Sequence, residues 1–180
     1  MNELVKRWRV VVRVLTEGTD AECTAAVRDW IEEWDRRFWA RDFSGFEEIY
    51  ASRFHGETRM PMVGDHSVDG PDGFRGLRED LADVASRFWF DVREVRRGKD
   101  GRFLGLGRMR ARGRYSGMLM QTPWAVLWRV EDGRLVEALA YLRPRQATRE
   151  LDSAGQIQGL SPSSPDREET HHGGPPGGQP

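Results

Sequence analysis

A single cysteine, Cys23, leaves no internal disulfide to form and no second thiol at metal-ligand spacing. A stapled or zinc-held small fold is excluded, and a reducing, cytoplasmic setting fits best. Net charge is nearly absent as well: 28 Lys and Arg against 29 Asp and Glu leave -1 at pH 7. No global field draws such a chain to nucleic acid or to anionic lipid, so neither is expected as a partner. Long apolar runs are missing too, and with them any segment able to span a bilayer. The opening MNELVKRWRVVVRVLTEG mixes basic and apolar residues, but Arg13 interrupts it and no small-residue cleavage pattern follows, so it is not read as a signal peptide. No internal repeat is visible.

What is present is enough for one domain with a real core, since 180 residues are too few for two comfortable ones. Within residues 1–18, Trp8, Val10, Val12 and Val14 alternate with Arg7, Arg9 and Arg13, which suggests an extra strand; a helical arm or a misassigned start are the alternatives. Thr19 with Glu22 is a capping-box pattern, and Val27, Trp30, Ile31, Trp34 and Phe38 then recur at helical spacing, predicting a helix from about residue 20 to 40. Ser44 with Glu47 repeats the pattern before Phe46, Ile49 and Tyr50, a shorter helix ending near Ser52. A strand candidate, RFHGETRM, follows, and Phe74, Leu77, Leu81, Val84 and Phe88 mark a third helix.

From Trp89 the character changes to short β-type runs separated by KDG, SG and EDG, each a plausible hairpin turn. Helices first and an antiparallel meander second imply an α+β layer architecture. Beyond about Leu151 there is no aromatic residue, and a Ser/Pro/Gly-rich tail over 152–180 is expected to stay disordered. Its adjacent His171 and His172 have no defined geometry for a metal.

The segments WDRRFWARD before FEEIYAS, GPDGFRGLREDL, GRMRARGRYSG and AVLWRVEDGRLVEALAYL together resemble the SnoaL-like branch of the nuclear transport factor 2-like superfamily, over a domain spanning residues 19–151. The resemblance implies a cone: N-terminal helices packed on a curved antiparallel sheet with a mixed edge, around an apolar pocket; separately, a homodimer is expected. It does not carry one function, because isomerases, dehydratases, polyketide cyclases, epoxide hydrolases and pocketed proteins without known chemistry share that cone.

Compared with the family's catalytic patterns, the chain departs at each of them. The epoxide hydrolase-like arginine and aspartate pair match Arg108, Arg110 and Ala140, so both water-activating aspartates are missing. The ketosteroid isomerase-like tyrosine matches Trp34, which donates one N–H and cannot act as an acid. The isomerase base falls at Thr58 or, one residue away, at Glu57. A one-residue slip reverses every side chain in a strand. With Phe54, Gly56 and Thr58 inward, His55 and Glu57 form a solvated face, the favoured register; in the other, Glu57 is the best base in the chain with His55 to tune it. The aspartate and histidine of SnoaL-type ester cyclases are absent between YSG and MLMQTPWA.

Arg108 remains a candidate anchor. Set inward behind Leu104 and Leu106, as the family comparison places it, it would hold an anionic oxygen bidentately; the alternative is a structural ion pair with Asp91 or Glu94. Arg110 to Arg114 belong to the solvated strand end. Trp30, Trp34, Phe54, Thr58, Leu106, Trp124, Trp128, Ala138 and Ala140 are expected to line the pocket, with small alanines opposite large rings leaving the space. Leu127, Leu139 and Tyr141 on the outer face would suit a partner subunit. Two functions follow as expectations: acid–base isomerisation, dehydration or cyclisation of an apolar intermediate by His55, Glu57 and Arg108 without a cofactor, or ligand binding without catalysis. An all-apolar pocket would favour the second.

Overall fold

The segment whose alternation suggested a strand is a helix. The computed structural model describes residues 2–60, 64–99 and 101–153, and begins with α1, Glu3–Glu17. The Asn2 side chain accepts the Leu4 N–H at 3.0 Å and caps it. Leu4, Val5, Trp8 and Val11 are buried, a helical spacing, whereas Val10 is 41% exposed. The valine alternation misleads because it leaves out Leu4 and Val5, which carry the buried stripe. Trp8 lies 4.9 Å from Trp30, ring to ring, and its Nε1 donates to the Gly133 carbonyl at 2.8 Å, so α1 is part of the fold.

Helix α2, Asp20–Trp39, starts with the expected capping box, Thr19 and Glu22 bonding each other's backbone N–H groups. Helix α3 is a single turn, Phe46–Ile49, and its cap is Gly45 instead of Ser44. Ser44 is already engaged: its hydroxyl donates to Asp42 at 2.6 Å and accepts from Arg37 at 3.0 Å. Charged partners have outcompeted a backbone N–H for that oxygen. Tyr50 is therefore the first residue of β1, Tyr50–Met60, and not part of the helix. After β2, Gly64–Asp69, helix α4, Gly73–Val84, stops one turn short of Phe88. Phe88 continues the helical spacing by coincidence and sits in β3, Ala85–Arg97, with its ring buried.

Strands β4, Arg102–Gly113, β5, Leu119–Glu131, and β6, Arg134–Tyr141, complete a six-stranded sheet in the order β2-β1-β6-β5-β4-β3. The β3 to β6 meander is antiparallel, as expected, while β1 pairs parallel to β6 and antiparallel to β2. Asp132 and Gly133, at φ 49° and 74°, turn β5 into β6 in the positive-φ geometry that matches strand twist. Register shifts within β3, β5 and β1 bend the sheet over the helices, as bulges do. Helices α1, α2 and α4 and the inner sheet face enclose the main core.

The outer face is not open to a partner where the sequence placed one. A helix the sequence did not announce, α5, Pro144–Ser153, lies across it and buries Leu127 and Tyr141 with Leu104, Ala125, Ala147 and Leu151; Leu139 packs against the edge of this cluster. The Tyr141 hydroxyl donates to Glu150 of the same helix. Leu151→Ala is expected to lower unfolding free energy by about 2 kcal/mol, the low end for a buried leucine because the site is peripheral, read as a shift of the urea midpoint at unchanged slope. The tail from 154 onward, with His171 and His172, lies outside the described residues. No helix among the described residues is long and apolar enough to cross a membrane.

Candidate functional site

Between α2, α4 and the inner sheet face lies a cavity of about 120 Å³. A dry cavity of roughly 150 Å³ holds one benzene ring, so a space of this size suits a ligand with one ring. Eight of the nine residues expected at the pocket border it: Trp30, Trp34, Phe54, Thr58, Trp124, Trp128, Ala138 and Ala140. The space arises from register. Trp128 faces Ala138 and Val126 faces Ala140 across β5 and β6, large against small. Gly105, behind Trp128, has no room for a side chain: a Cβ there would stand 2.5 Å from the indole, so the glycine seats that ring against the sheet.

Much of the remaining wall is aromatic and was not assigned to the pocket from the sequence: Trp39, Tyr50, Phe74, Phe88 and Phe90, with Leu77 and Leu81 of α4. Trp34 stacks on Phe38 at 4.7 Å and meets Phe74 edge-on at 6.0 Å; Phe90 tilts against Trp124 at 4.9 Å. Their signal was present in the chain as helical and alternating aromatics. Sequence patterning shows that such rings are buried, but only packing shows which border empty space.

Polar groups in this wall are few. Burial pushes the Tyr50 phenol well above its ordinary value, opposed in part by the neighbouring Trp34 indole, whose Nε1 is buried with no partner of good hydrogen-bond geometry among the described residues. The indole nitrogens of Trp30 and Trp39 are likewise buried without a partner among the described residues. Trp39 backs onto Asp35, a carboxyl only 6% exposed. Burial drives Asp35 up to about 6 against the pull of Arg87, whose Nη2 is 3.6 Å away. Asp35 is not among the residues bordering the cavity.

Of the three candidate catalytic residues, His55 and Glu57 are brought together and Arg108 is not. In β1, Phe54 and Gly56 are buried and Thr58 borders the cavity, while His55 packs beside Asp69 of β2, Nδ1 to Oδ1 2.7 Å. His55 Nε2 is 3.4 Å from Glu57, and hydrogen bonding to Asp69 and then to Glu57 raises its pKa. Glu57 also borders the cavity, between Gly56 and Thr58, with its carboxylate turned to His55. Arg108 is exposed on the outer face, the opposite side of β4 from Phe103, Met109 and Ala111 of the core. Leu106 lies on that same outer face, packed with the cluster under α5. Strand parity joins the two residues, so the burial of Leu104 under α5 excludes Arg108 from the cavity. Nor does it form the expected ion pair, since Asp91 is instead near Arg93 and Arg110, at 3.7 and 3.9 Å.

With this geometry in hand, comparison with known structures is informative. An NTF2-like protein of unknown function from Burkholderia pseudomallei K96243 superposes with a TM-score of 0.53 at 15% identity, covering 84% of this chain and 98% of that one. The chain has the nuclear transport factor 2-like fold. TerC, co-crystallised with polyporic acid, is similar at TM-score 0.51 and 18% identity over 64% of this chain and 89% of its own. A ketosteroid isomerase-like hypothetical protein from Catenulispora acidiphila DSM 44928, in complex with trimethylamine, reaches 0.50 at 11% identity, over 60% and 80%. No family model and no curated protein matches the sequence. In this nuclear transport factor 2-like fold the cavity sits between the helices and the concave side of the sheet. Among the described residues, no cluster of three or more His, Cys, Asp or Glu could hold a metal ion.

Proposed function

We propose that this protein binds a small, largely planar apolar molecule bearing an acceptor oxygen in the aromatic cavity, and that binding without catalysis is its primary activity. The observation carrying this reading is an aromatic-walled cavity whose wall includes Tyr50, with the Trp34 indole beside it, its Nε1 buried without a hydrogen-bond partner among the described residues. A buried donor left unmade costs about 1–3 kcal/mol, and a ligand carbonyl would satisfy it. Rings on opposite sides supply stacking and edge contacts to a flat ligand. Two proteins of similar fold hold small molecules, polyporic acid in TerC and trimethylamine in the Catenulispora protein, which supports a ligand site without naming the ligand.

Binding is favoured over acid–base chemistry because Arg108 is remote, and the ionisable side chains bordering the cavity among the described residues are Tyr50 and Glu57. The proton-transfer reading retains one support: Glu57 borders the cavity and is coupled to His55. Titration of acetophenone and of its hydrocarbon counterpart ethylbenzene, followed by tryptophan fluorescence, tests the primary reading. The ketone is expected to bind roughly 3–10-fold tighter, the value of one neutral hydrogen bond, and Tyr50→Phe combined with Trp34→Phe should abolish that advantage. Failure of both compounds to bind would refute it. Native mass spectrometry of the purified protein adds a direct search for a retained molecule.

A further inference from the structure

Large apolar side chains are exposed at one end of the sheet. Among the described residues, those exposed are Tyr115, Met118, Leu119, Met120 and Val84, all at the β4–β5 turn, with Val10 of α1 alone elsewhere. Tyr115 is 90% exposed and Met118 66%. Hydrogen bonds hold the turn in shape. The Gly113 N–H donates to the Met118 carbonyl at 2.9 Å, and the Met118 N–H donates to the Ser116 hydroxyl at 3.2 Å. The Arg114 N–H donates to the Val84 carbonyl at 3.2 Å, which sets the end of α4 beside the turn, and the Arg114 guanidinium donates to Ala82 of the same helix. A contiguous apolar patch kept in water on a shaped turn marks a contact surface.

Arginines stand directly behind this tip. Arg112 faces Leu119 across β4 and β5, and Arg110 faces Gln121, two residues further back. At about 3.4 Å of rise per residue, Arg112 is level with Leu119 and Arg110 lies about 7 Å behind it. Arg112 forms no ion pair among the described residues. Arg87, in register with Arg112, is already partnered by Asp35. The acids at this end are Asp91, 3.9 Å from Arg110, and Asp83, next to Val84 in the chain. Arg110, Arg112 and Arg114 outnumber them. The near-zero net charge excludes a global field toward anionic lipid but leaves this local one.

From this arrangement we propose that the β4–β5 turn docks on an anionic membrane surface, with Tyr115, Met118 and Leu119 entering the headgroup region and Arg110, Arg112 and Arg114 meeting lipid phosphates. Apolar groups lead and cations follow within the depth of about 5–10 Å to which a peripheral apolar face sinks. Tyrosine, apolar in body and polar at its tip, suits that boundary, and the guanidinium fork suits phosphate. A second copy of the chain fits less well. A stable protein interface takes about 20–30 residues a side. Here β5 runs unpaired to β6 until Ala125, so the end of the hairpin projects past that strand and offers a narrow tip. The proposal is independent of the reading of the cavity.

Co-sedimentation of the full chain with vesicles, at low salt, tests it. One set is phosphatidylcholine alone and the other phosphatidylcholine and phosphatidylserine, two to one. The parent should bind the anionic vesicles about tenfold or more tightly than the neutral ones, as a few arginines near the surface imply. Arg110→Gln with Arg112→Gln should remove most of that preference. Met118→Ser with Leu119→Ser should weaken binding about tenfold or more with the urea midpoint unchanged, because both side chains are exposed in the free protein. No binding to anionic vesicles, or binding indifferent to the serine pair, would overturn the proposal. So would a dimer in sedimentation velocity that the serine pair dissociates, which would assign the tip to a second copy.

Discussion

Trp8→Ala is expected to lower the free energy of unfolding by about 3–5 kcal/mol, the range for deleting a buried tryptophan. Trp8 is 2% exposed and holds α1 in two directions at once. Its ring meets Trp30, which borders the cavity, and its Nε1 bonds the carbonyl of Gly133 in the β5–β6 turn. Truncation would leave a void between α1 and α2 and strip that carbonyl of its donor. Trp8→Phe separates the two contributions: it keeps most of the ring, loses the hydrogen bond, and should cost about 1–2 kcal/mol. Urea denaturation followed by far-UV circular dichroism measures both. A loss below 1 kcal/mol for Trp8→Ala would mean that α1 is a dispensable arm.

Asp35→Asn is expected to stabilise the protein at pH 8, by about 2 kcal/mol, and to make little difference at pH 4. Burial raises the Asp35 carboxyl to about 6 from an ordinary 3.8, with Arg87 countering only part of that cost. Below about pH 4 the group is protonated folded and unfolded alike. Between pH 4 and 6 the folded chain retains a proton that the unfolded chain releases, so stability falls as pH rises through this window, and the penalty is complete above it. Two pKa units at about 1.4 kcal/mol each set an upper bound near 3 kcal/mol, reduced by the Arg87 interaction that the asparagine gives up. Other groups titrate between pH 4 and 8 as well, so the informative quantity is the difference between variant and parent at each pH. If the variant is the less stable at pH 8, the Asp35–Arg87 pair stabilises the fold and the burial cost has been overestimated.

Much of the fold was legible because burial patterns repeat with the period of the element that carries them. Val27, Trp30, Ile31 and Phe38 on α2, and Trp124, Val126 and Trp128 on β5, are buried where their spacing put them. The misreadings have local causes. At α1, alternating valines overlap a helical stripe that starts two residues earlier. At Ser44 the capping oxygen is claimed by Asp42 and Arg37, residues whose approach depends on how the chain turns after α2. At Phe88 a strand residue falls in phase with the preceding helix. Helix α5 was missed because only Ala147 and Leu151 bury, too few apolar positions to announce an amphipathic helix in ten residues.

The candidate site was legible in composition and not in placement. Eight pocket residues followed from strand parity and the α2 stripe, including the Trp128–Ala138 complementarity that opens the space. Arg108 and Leu106 were misplaced together. Alternation sorts a strand's side chains into two sets but does not say which set faces the helices, and a second apolar cluster under α5 reversed the choice.

The sequence by itself determined the α+β class, the order of most elements, the antiparallel meander and the aromatic character of the interior. These depend on the periodicity of apolar residues and on turn-forming glycines, properties of contiguous chain. The tertiary structure alone decided that α1 docks, that α5 covers the outer sheet face, and that Arg108 is excluded from the cavity. Each of those is set by which surfaces, distant along the chain, come to share the same excluded volume and the same field.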